Sequence, residues 1–195
     1  MNTIAITGGI ACGKSRVAES LQSGLEAPLF SSDACVAELL SDSDIQRQVL
    51  ELFAQNGGQD GVFDKSAIRK RAFENSDFRE KLEALIHPLV YERVVDFLGN
   101  RADHTDFLLV EVPLLYEVNF PLERDLDLIV AASPATQVER LTSIRGLDLR
   151  VANQILSAQL SIDEKIRRAD VVVWNDGSLE ALNLQVEHLV RRCFS

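Results

Sequence analysis

The stretch TGGIACGKS, Thr7–Ser15, carries the strongest structural signal in the sequence. It follows Thr3–Ile6, a short run rich in β-branched residues of the kind that forms a buried parallel strand. A helical pattern begins at Lys14, where Val17 and Leu21 recur on one face. Two adjacent glycines, a third glycine and a Lys-Ser pair, placed between a strand and a helix, predict a phosphate-binding loop.

The residue types of this predicted loop suit the binding of phosphate. Glycines let the backbone curl so that successive N–H groups point at a phosphate, and the helix N-terminus adds a partial positive charge. Lys14 is expected to reach the β- and γ-phosphates, and the Ser15 hydroxyl is expected to hold Mg2+. The residues predicted to bind the nucleotide are Gly8, Gly9, Ala11, Cys12, Gly13, Lys14, Ser15 and Arg16. The motif predicts ATP or GTP and does not distinguish a kinase from an ATPase or a GTPase.

Length, net charge and cysteine pattern limit the classes of protein to which the chain can belong. The chain has 195 residues, which fits one domain or one domain with a large insertion, and its net charge of −10 argues against a nucleic-acid partner. Three scattered cysteines without a CxxC pair indicate neither a zinc site nor a disulfide framework. We find no signal-peptide pattern and no uncharged stretch near the roughly 18 residues that span a bilayer. We therefore expect a soluble cytoplasmic protein with no membrane partner.

The rest of the chain alternates strand and helix patterns. Four further runs have the character of strands: 28–30, 107–112, 126–131 and 171–174. The alternation predicts an α/β fold with a parallel sheet covered on both faces. Residues 34–100 are almost entirely helical in pattern and predict an insertion on that sheet, in which Pro88 predicts a kink or a break.

Features outside the loop favour a kinase. A GTPase would need an Asn-Lys-x-Asp element after a late strand, and the nearest approach, Asn175–Gly177, has no lysine. A kinase needs a carboxylate that orients or deprotonates the acceptor hydroxyl. Asp33 follows the second strand, at the carboxyl edge where such sheets bind ligands, but it also fits the N-cap of the next helix.

Several motifs then point to one family. The chain carries a Thr-Gly-Gly-Ile-x-x-Gly-Lys-Ser loop, an aspartate after the second strand, and His-Pro, Pro-Leu-Leu-x-Glu and Gln-x-x-Arg motifs in that order. The matching residues are Thr7–Ser15, Asp33, Leu82–Pro88, Pro113–Glu117, Gln137–Arg140, Gln159, Ala169–Asp170 and Asn175. Over essentially its whole length the chain resembles the dephospho-CoA kinase family.

The resemblance implies a fold and an organisation. The fold is that of P-loop NTPases similar to nucleoside-monophosphate kinases: three layers, α/β/α, with a five-stranded parallel sheet. Residues 1–195 would form a single kinase domain. Its parts would be a core (1–33, 105–135 and 168–195), a helical acceptor-binding insertion (about 34–104) and a helical lid (about 136–167). We expect a monomer.

The resemblance also implies a reaction. The γ-phosphoryl group of ATP, with Mg2+, would pass to the ribose 3′-hydroxyl of dephospho-CoA, giving CoA and ADP. Asp33 would take or orient the proton of that hydroxyl, Lys14 would assist transfer, and Arg140 would cover the phosphates from the lid. Asn175 would lie near the adenine, or would simply form the turn before Gly177.

Further site residues follow from the same resemblance. Arg69, His87, Pro113 and Glu117 are implied to contact the acceptor. Glu117 also fits an ion pair with an arginine, and the sequence does not separate these two roles. His87 also fits a structural role beside Pro88. Glu111, at the end of the third strand, is near the usual position of the carboxylate that helps hold Mg2+. In the insertion, the family pattern also matches Gly61, whereas Lys65, Lys70 and Arg71 are expected to form a solvated basic face.

The sequence differs from the family pattern at several positions, and these differences leave two alternative functions open. Ser31 stands where many members have aspartate, and Ala37 where an arginine or histidine is usual. Ile144 stands where the family has a lid arginine, and Arg145 follows one residue later, which on an α-helix rotates the side chain by about 100°. The alternatives are a related P-loop kinase that acts on another small hydroxyl acceptor, and a nucleotide-binding regulator with weakened catalysis.

Overall fold

The protein is described by a computed structural model that covers residues 2–57, 62–100 and 106–194. Gly61 lies outside the described residues. The chain divides into two compact units, one formed by Met1–Ser31 with Asn100–Ser195 and the other by Ser32–Gly99. We call them the sheet unit and the helical unit.

The sheet unit contains both strands and helices, whereas the described elements of the helical unit are all helices. The strands are β1 (Asn2–Gly8), β2 (Leu29–Ser31), β3 (Phe107–Glu111), β4 (Leu126–Ala131) and β5 (Val171–Trp174). The helices are α1 (Lys14–Leu25), α2 (Ser32–Leu39), α3 (Ser43–Gln55), α4 (Lys65–Glu74), α5 (Ser76–Gly99), α6 (Pro134–Glu139), α7 (Leu149–Ser157), α8 (Ile162–Arg168) and α9 (Leu179–Cys193). A π-helical turn, Arg140–Ile144, follows α6 directly.

The five strands form one parallel sheet in the order β2-β3-β1-β4-β5. The central strand β1 pairs with β3 and β4, which sets Ile6 beside Glu111 and Gly8 beside Val130. The predicted α/β fold with a five-stranded parallel sheet is therefore confirmed. Because all strands run the same way, their carboxyl ends meet at one edge, and that edge carries the ends of β1, β2 and β3.

The core of the sheet unit explains why β1 is so apolar. Ile4 and Ile6 are fully buried and pack in one cluster with Leu128 of β4 and with Val17 and Leu21 of α1. Parallel strands covered by helices are buried on both faces and therefore lack an exposed polar face. This packing fixes α1 against the strand that precedes it and holds the connecting loop between two rigid elements.

The helical unit has its own small core. Phe78 is fully buried and packs with Val49 of α3 and Ile68 of α4. Its ring meets that of Phe53 edge to face, with centroids 5.8 Å apart. Aromatic rings favour this arrangement because the positive edge of one faces the negative surface of the other.

Helix α5 continues through Pro88 as a single element of 24 residues, so of the predicted kink or break, the break is wrong. Proline removes one backbone hydrogen bond, but Ile86, Val90 and Val94 are buried on both sides of it. Their packing is sufficient to hold the helix on either side of the proline. Among the described residues, no helix has the length and apolar character needed to cross a bilayer.

The expected solvated basic face also needs a correction. Lys65 and Lys70 are exposed, as predicted, but Arg71 is half-buried and its guanidinium donates to the carbonyl oxygen of Asn56. This carbonyl lies at the C-terminal end of α3, where helix geometry leaves the last carbonyls without partners. Arg71 is therefore a capping residue of the helical unit.

Replacing Phe78 with alanine should destabilise the helical unit by about 3–5 kcal/mol, because it removes a fully buried ring and leaves a cavity. Phe73→Ala is the matched control, since Phe73 is 54% exposed and its loss should change the free energy of unfolding by less than about 0.5 kcal/mol. Urea unfolding followed by far-ultraviolet circular dichroism measures both. Equal midpoints for the two variants would contradict the assignment of Phe78 to this core.

Candidate active site

The loop between β1 and α1 has a backbone that requires its glycines. Gly13 has φ +87°, and a Cβ atom there would lie 2.6 Å from Nδ2 of Asn175. At Gly8 a Cβ atom would lie 2.2 Å from the carbonyl oxygen of Val130 on the neighbouring strand. Both distances are too short for any other residue, so the glycines of the motif are fixed by close packing as well as by backbone conformation.

The N-terminus of α1 presents amide donors next to this loop. The first N–H groups of a helix have no acceptor within the helix, and here Gly13 supplies no side-chain cap. The amides of Ser15 and Arg16 belong to this first turn. The helix dipole adds a partial positive charge at the same place, and the arrangement therefore favours an anion such as phosphate.

The carbonyl groups of the loop are all engaged by side chains. Each successive carbonyl from Gly8 to Cys12 accepts a hydrogen bond from a lysine, glutamine, arginine or asparagine. The bonds are Lys165 Nζ to Gly8 (3.3 Å), Lys14 Nζ to Gly9 (2.8 Å), Gln137 Nε2 to Ile10 (2.7 Å), Arg140 Nη1 to Ala11 (3.1 Å) and Asn175 Nδ2 to Cys12 (2.9 Å). These bonds hold the loop in one conformation.

Ile10 is held from both sides by glutamines. Gln137 donates to its carbonyl at 2.7 Å, and Gln159 accepts from its N–H at 3.1 Å. Gln137 is almost completely buried, so its amide has no access to competing water. Both glutamines match motifs of the family resemblance, and the structure assigns them this role of fixing the loop.

Three side chains from three elements meet beside the start of α1. Glu111, at the end of β3, is 4% exposed and accepts hydrogen bonds from the hydroxyls of Ser15 and Ser31, both at 3.0 Å. Ser31 reaches this carboxylate because β2 and β3 pair with Ser31 opposite Glu111. A serine here donates to the carboxylate, whereas the aspartate that is common in the family would place a second negative charge beside it.

Arg140 and Asn175 hydrogen-bond to the loop and to each other. Arg140 donates to the backbone carbonyl of Asn175 at 2.8 Å as well as to Ala11. Asn175 is 8% exposed and follows β5 directly. Its side chain lies against the loop, so it is more than the turn former that precedes Gly177.

The π-helical turn changes the position of Arg145. Its N–H donates to the carbonyl of Arg140 at 3.2 Å, the bond that an α-helix would give to Ile144. A π turn contains one more residue than an α turn and so absorbs a one-residue shift in sequence. Arg145 itself is exposed, and the expectation that its side chain is turned away from the phosphates stays a prediction.

Glu117 pairs with a lysine that the sequence analysis did not single out. Its Oε1 lies 2.7 Å from Nζ of Lys165 and accepts from the N–H of Leu160 at 3.2 Å. Its Oε2 is buried and has no hydrogen-bond partner among the described residues. Pro113, four residues earlier, accepts from the Thr7 hydroxyl at 3.3 Å, which brings this segment to the phosphate loop.

The remaining predicted site residues belong to the helical unit. Asp33 is exposed in the first turn of α2, which begins at Ser32, so it lies inside the helix and not at the N-cap position. Arg69 is exposed on α4, and His87 is half-buried on α5. The sheet unit thus brings together the predicted loop, Glu111, Pro113, Glu117, Arg140 and Asn175, whereas these three residues occupy three separate helices.

Cys12 is a neutral packing residue within the loop. It is fully buried, and this burial raises the pKa of its thiol, although the charges of Lys14 and Arg140 act in the opposite direction. The thiol is therefore protonated at neutral pH and is a poor nucleophile.

Fold and site together define a P-loop phosphotransferase of the kinase type. A sequence model of the family described as dephospho-CoA kinase matches residues 2–181. The chain belongs to the dephospho-CoA kinase family.

Individual relatives agree with this assignment. The chain is 36% identical to a dephospho-CoA kinase of Thermosynechococcus vestitus, over 94% of this chain and 91% of that protein. It is 35% identical to a dephospho-CoA kinase of Desulfotalea psychrophila, over 94% and 93%. Among solved structures, a Thermus thermophilus protein matches with a TM-score of 0.80 at 29% identity, over 97% of this chain and 96% of that one. A shikimate kinase of Acinetobacter baumannii shares only the fold, with a TM-score of 0.57 at 15% identity over 100% and 93%.

Replacing Asn175 with aspartate should loosen the phosphate loop, because a carboxylate oxygen would then face the Cys12 carbonyl with no proton to share. We expect a loss of about 1–3 kcal/mol in the free energy of unfolding and weaker ATP binding. Asn153→Asp, on the exposed surface of α7, makes the same chemical change and should alter neither. Thermal unfolding and titration calorimetry with ATP provide the measurements, and two indistinguishable variants would refute the role given to Asn175.

Proposed function

We propose that this chain transfers the γ-phosphoryl group of ATP to the 3′-hydroxyl of dephospho-CoA and releases CoA and ADP. The observation that carries the proposal is the phosphate loop, whose carbonyls are all engaged and whose helix terminus presents amide donors. Family membership supports dephospho-CoA as the acceptor.

The loop residues would act mainly by positioning and by charge. Phosphoryl transfer passes through a loose transition state in most analyses, so catalysis depends on alignment and on neutralising the phosphate oxygens. Lys14 now bonds the Gly9 carbonyl, and on binding ATP its ammonium would turn to the β- and γ-phosphates. Arg140 would contribute a second positive charge from the lid side of the loop.

The acceptor would be held by residues that the family resemblance implies. Asp33 is exposed and would orient the attacking hydroxyl or accept its proton, as its position after the second strand suggests. Arg69 and His87 would contact the acceptor from the helical unit. In the sheet unit, Pro113 and Glu117 would contact the acceptor, as the family resemblance implies.

The oxygen ligands beside the loop fit Mg2+. This ion prefers hydroxyl, carboxylate and phosphate oxygens and is held by few protein ligands, which matches Ser15 and the buried Glu111. Ser15 and Glu111 would hold the ion, directly or through water. When bound, Mg2+ would supply charge neutralisation between the β- and γ-phosphates.

The proposal also takes the enzyme as a cytoplasmic monomer that acts on small molecules. The net charge of −10 supports the absence of a nucleic-acid partner, because binding to nucleic acid depends on neutralising phosphates with basic residues.

The direct test is an ADP-release assay with ATP and dephospho-CoA, with CoA identified by mass. Asp33→Asn should lower turnover about 100-fold or more with little change in ATP affinity, because it removes the orienting carboxylate but not the phosphate loop. Asp96→Asn, an exposed change on α5, is the control and should keep full activity.

Two outcomes of this assay would refute the proposal. Faster turnover with a nucleoside monophosphate, gluconate or shikimate than with dephospho-CoA would favour a related kinase with another acceptor. ATP binding without CoA formation at any enzyme concentration would favour a nucleotide-binding regulator.

Glu111→Gln tests the metal site. The amide keeps the shape but loses the charge, so the Mg2+ concentration for half-maximal activity should rise about tenfold or more. Glu123→Gln removes an exposed carboxylate outside the site and should leave the Mg2+ dependence unchanged. Titration of activity and of ATP binding with MgCl2 measures both variants, and an unshifted Mg2+ requirement in Glu111→Gln would exclude Glu111 from the metal site.

A further inference from the structure

Lys165 is a charged residue in an apolar position. It lies on α8 between Ile162 and Ile166, which both pack in the core of the sheet unit, and its side chain is completely buried. Burying an ammonium group is costly unless it is paired. An apolar side chain in this stripe would avoid that cost, so the lysine needs a reason other than packing.

The partners of Lys165 supply that reason. Its ammonium lies 2.7 Å from Oε1 of Glu117 and 3.3 Å from the carbonyl oxygen of Gly8. Gly8 is the residue at which β1 becomes the phosphate loop, and its backbone already lies against Val130. Glu117 ends the Pro-Leu-Leu-x-Glu motif.

One cation therefore bridges the nucleotide side and the acceptor side of the site. The N–H of Leu160 donates to the same Glu117 oxygen at 3.2 Å, and together these bonds leave only Oε2 without a partner among the described residues. The orientation of the Glu117 carboxylate is thus fixed through one oxygen, while the other oxygen is buried.

We propose that Lys165 is a positioning residue for phosphoryl transfer, which fixes the start of the phosphate loop through Gly8 and the orientation of Glu117. The proposal rests on the proposed function and adds a residue to it. The proposal assigns two separate effects to Lys165. The bond to Gly8 affects the binding of ATP, and the bond to Glu117 affects the binding of the acceptor.

The experiment compares Lys165→Met, Glu117→Gln and the double variant. Lys165→Met keeps an unbranched side chain, one atom shorter, but removes both bonds. The dissociation constant for ATP and the KM for dephospho-CoA should therefore each rise about tenfold, the factor that matches about 1.4 kcal/mol. Glu117→Gln leaves Lys165 bonded to Gly8. It should raise only the KM for dephospho-CoA.

The double variant shows whether weaker ATP binding is caused by misfolding. Removing one partner of a buried ion pair is strongly destabilising, whereas removing both is often tolerated. We expect the double variant to melt closer to the wild type than Lys165→Met does, and still to bind ATP about tenfold more weakly. Arg167→Met, an exposed change on the same helix, is the control and should bind ATP normally.

The outcomes distinguish the two proposals. Calorimetry with ATP and MgCl2 needs no acceptor, so a wild-type protein that fails to bind ATP would refute the proposed function itself. A folded double variant that binds ATP like the wild type would refute the role of Lys165 alone. Loss of folding in both Lys165 variants would show that the residue acts only in stability, which would also overturn the inference.

Discussion

The engagement of the phosphate-loop carbonyls is the constraint on which the rest of the site depends. A loop whose amides converge on an anion must point its carbonyls away from it, and buried carbonyls need donors. Here Lys14, Gln137, Arg140, Lys165 and Asn175 provide them, one for each carbonyl from Gly8 to Cys12. The loop is therefore preorganised by the protein, and phosphate does not have to order it.

The order of the strands determines what lies beside this loop. With β1 between β3 and β4, and β2 beyond β3, the ends of β2 and β3 carry Ser31 and Glu111 next to the first turn of α1. The buried carboxylate of Glu111 accepts hydrogen bonds from two hydroxyls, which offset the cost of removing it from water. Ser31 therefore stabilises Glu111 by a hydrogen bond. A serine in place of the aspartate that is common in the family gives this carboxylate a donor.

The phosphate loop and the parallel sheet were predictable from local sequence. The glycine spacing with Lys14 and Ser15, placed between a strand and a helix, predicted the loop, and β-branched runs predicted the sheet. Lys165 was not predictable, because a lysine in the charged segment 161–170 is typical of an exposed helix. Its burial depends on tertiary packing, as does the continuity of α5 through Pro88. The π turn at Arg140 likewise follows from contacts that no local pattern encodes.

The engaged carbonyls also have a consequence for synthesis of the protein on the ribosome. The glycine motif leaves the exit tunnel before the side chains that complete its hydrogen bonds, which come from residues 137–175. A nascent chain that lacks β5 has no Asn175 to bond the Cys12 carbonyl. Translation must therefore pass β5 before the loop acquires its full set of hydrogen bonds.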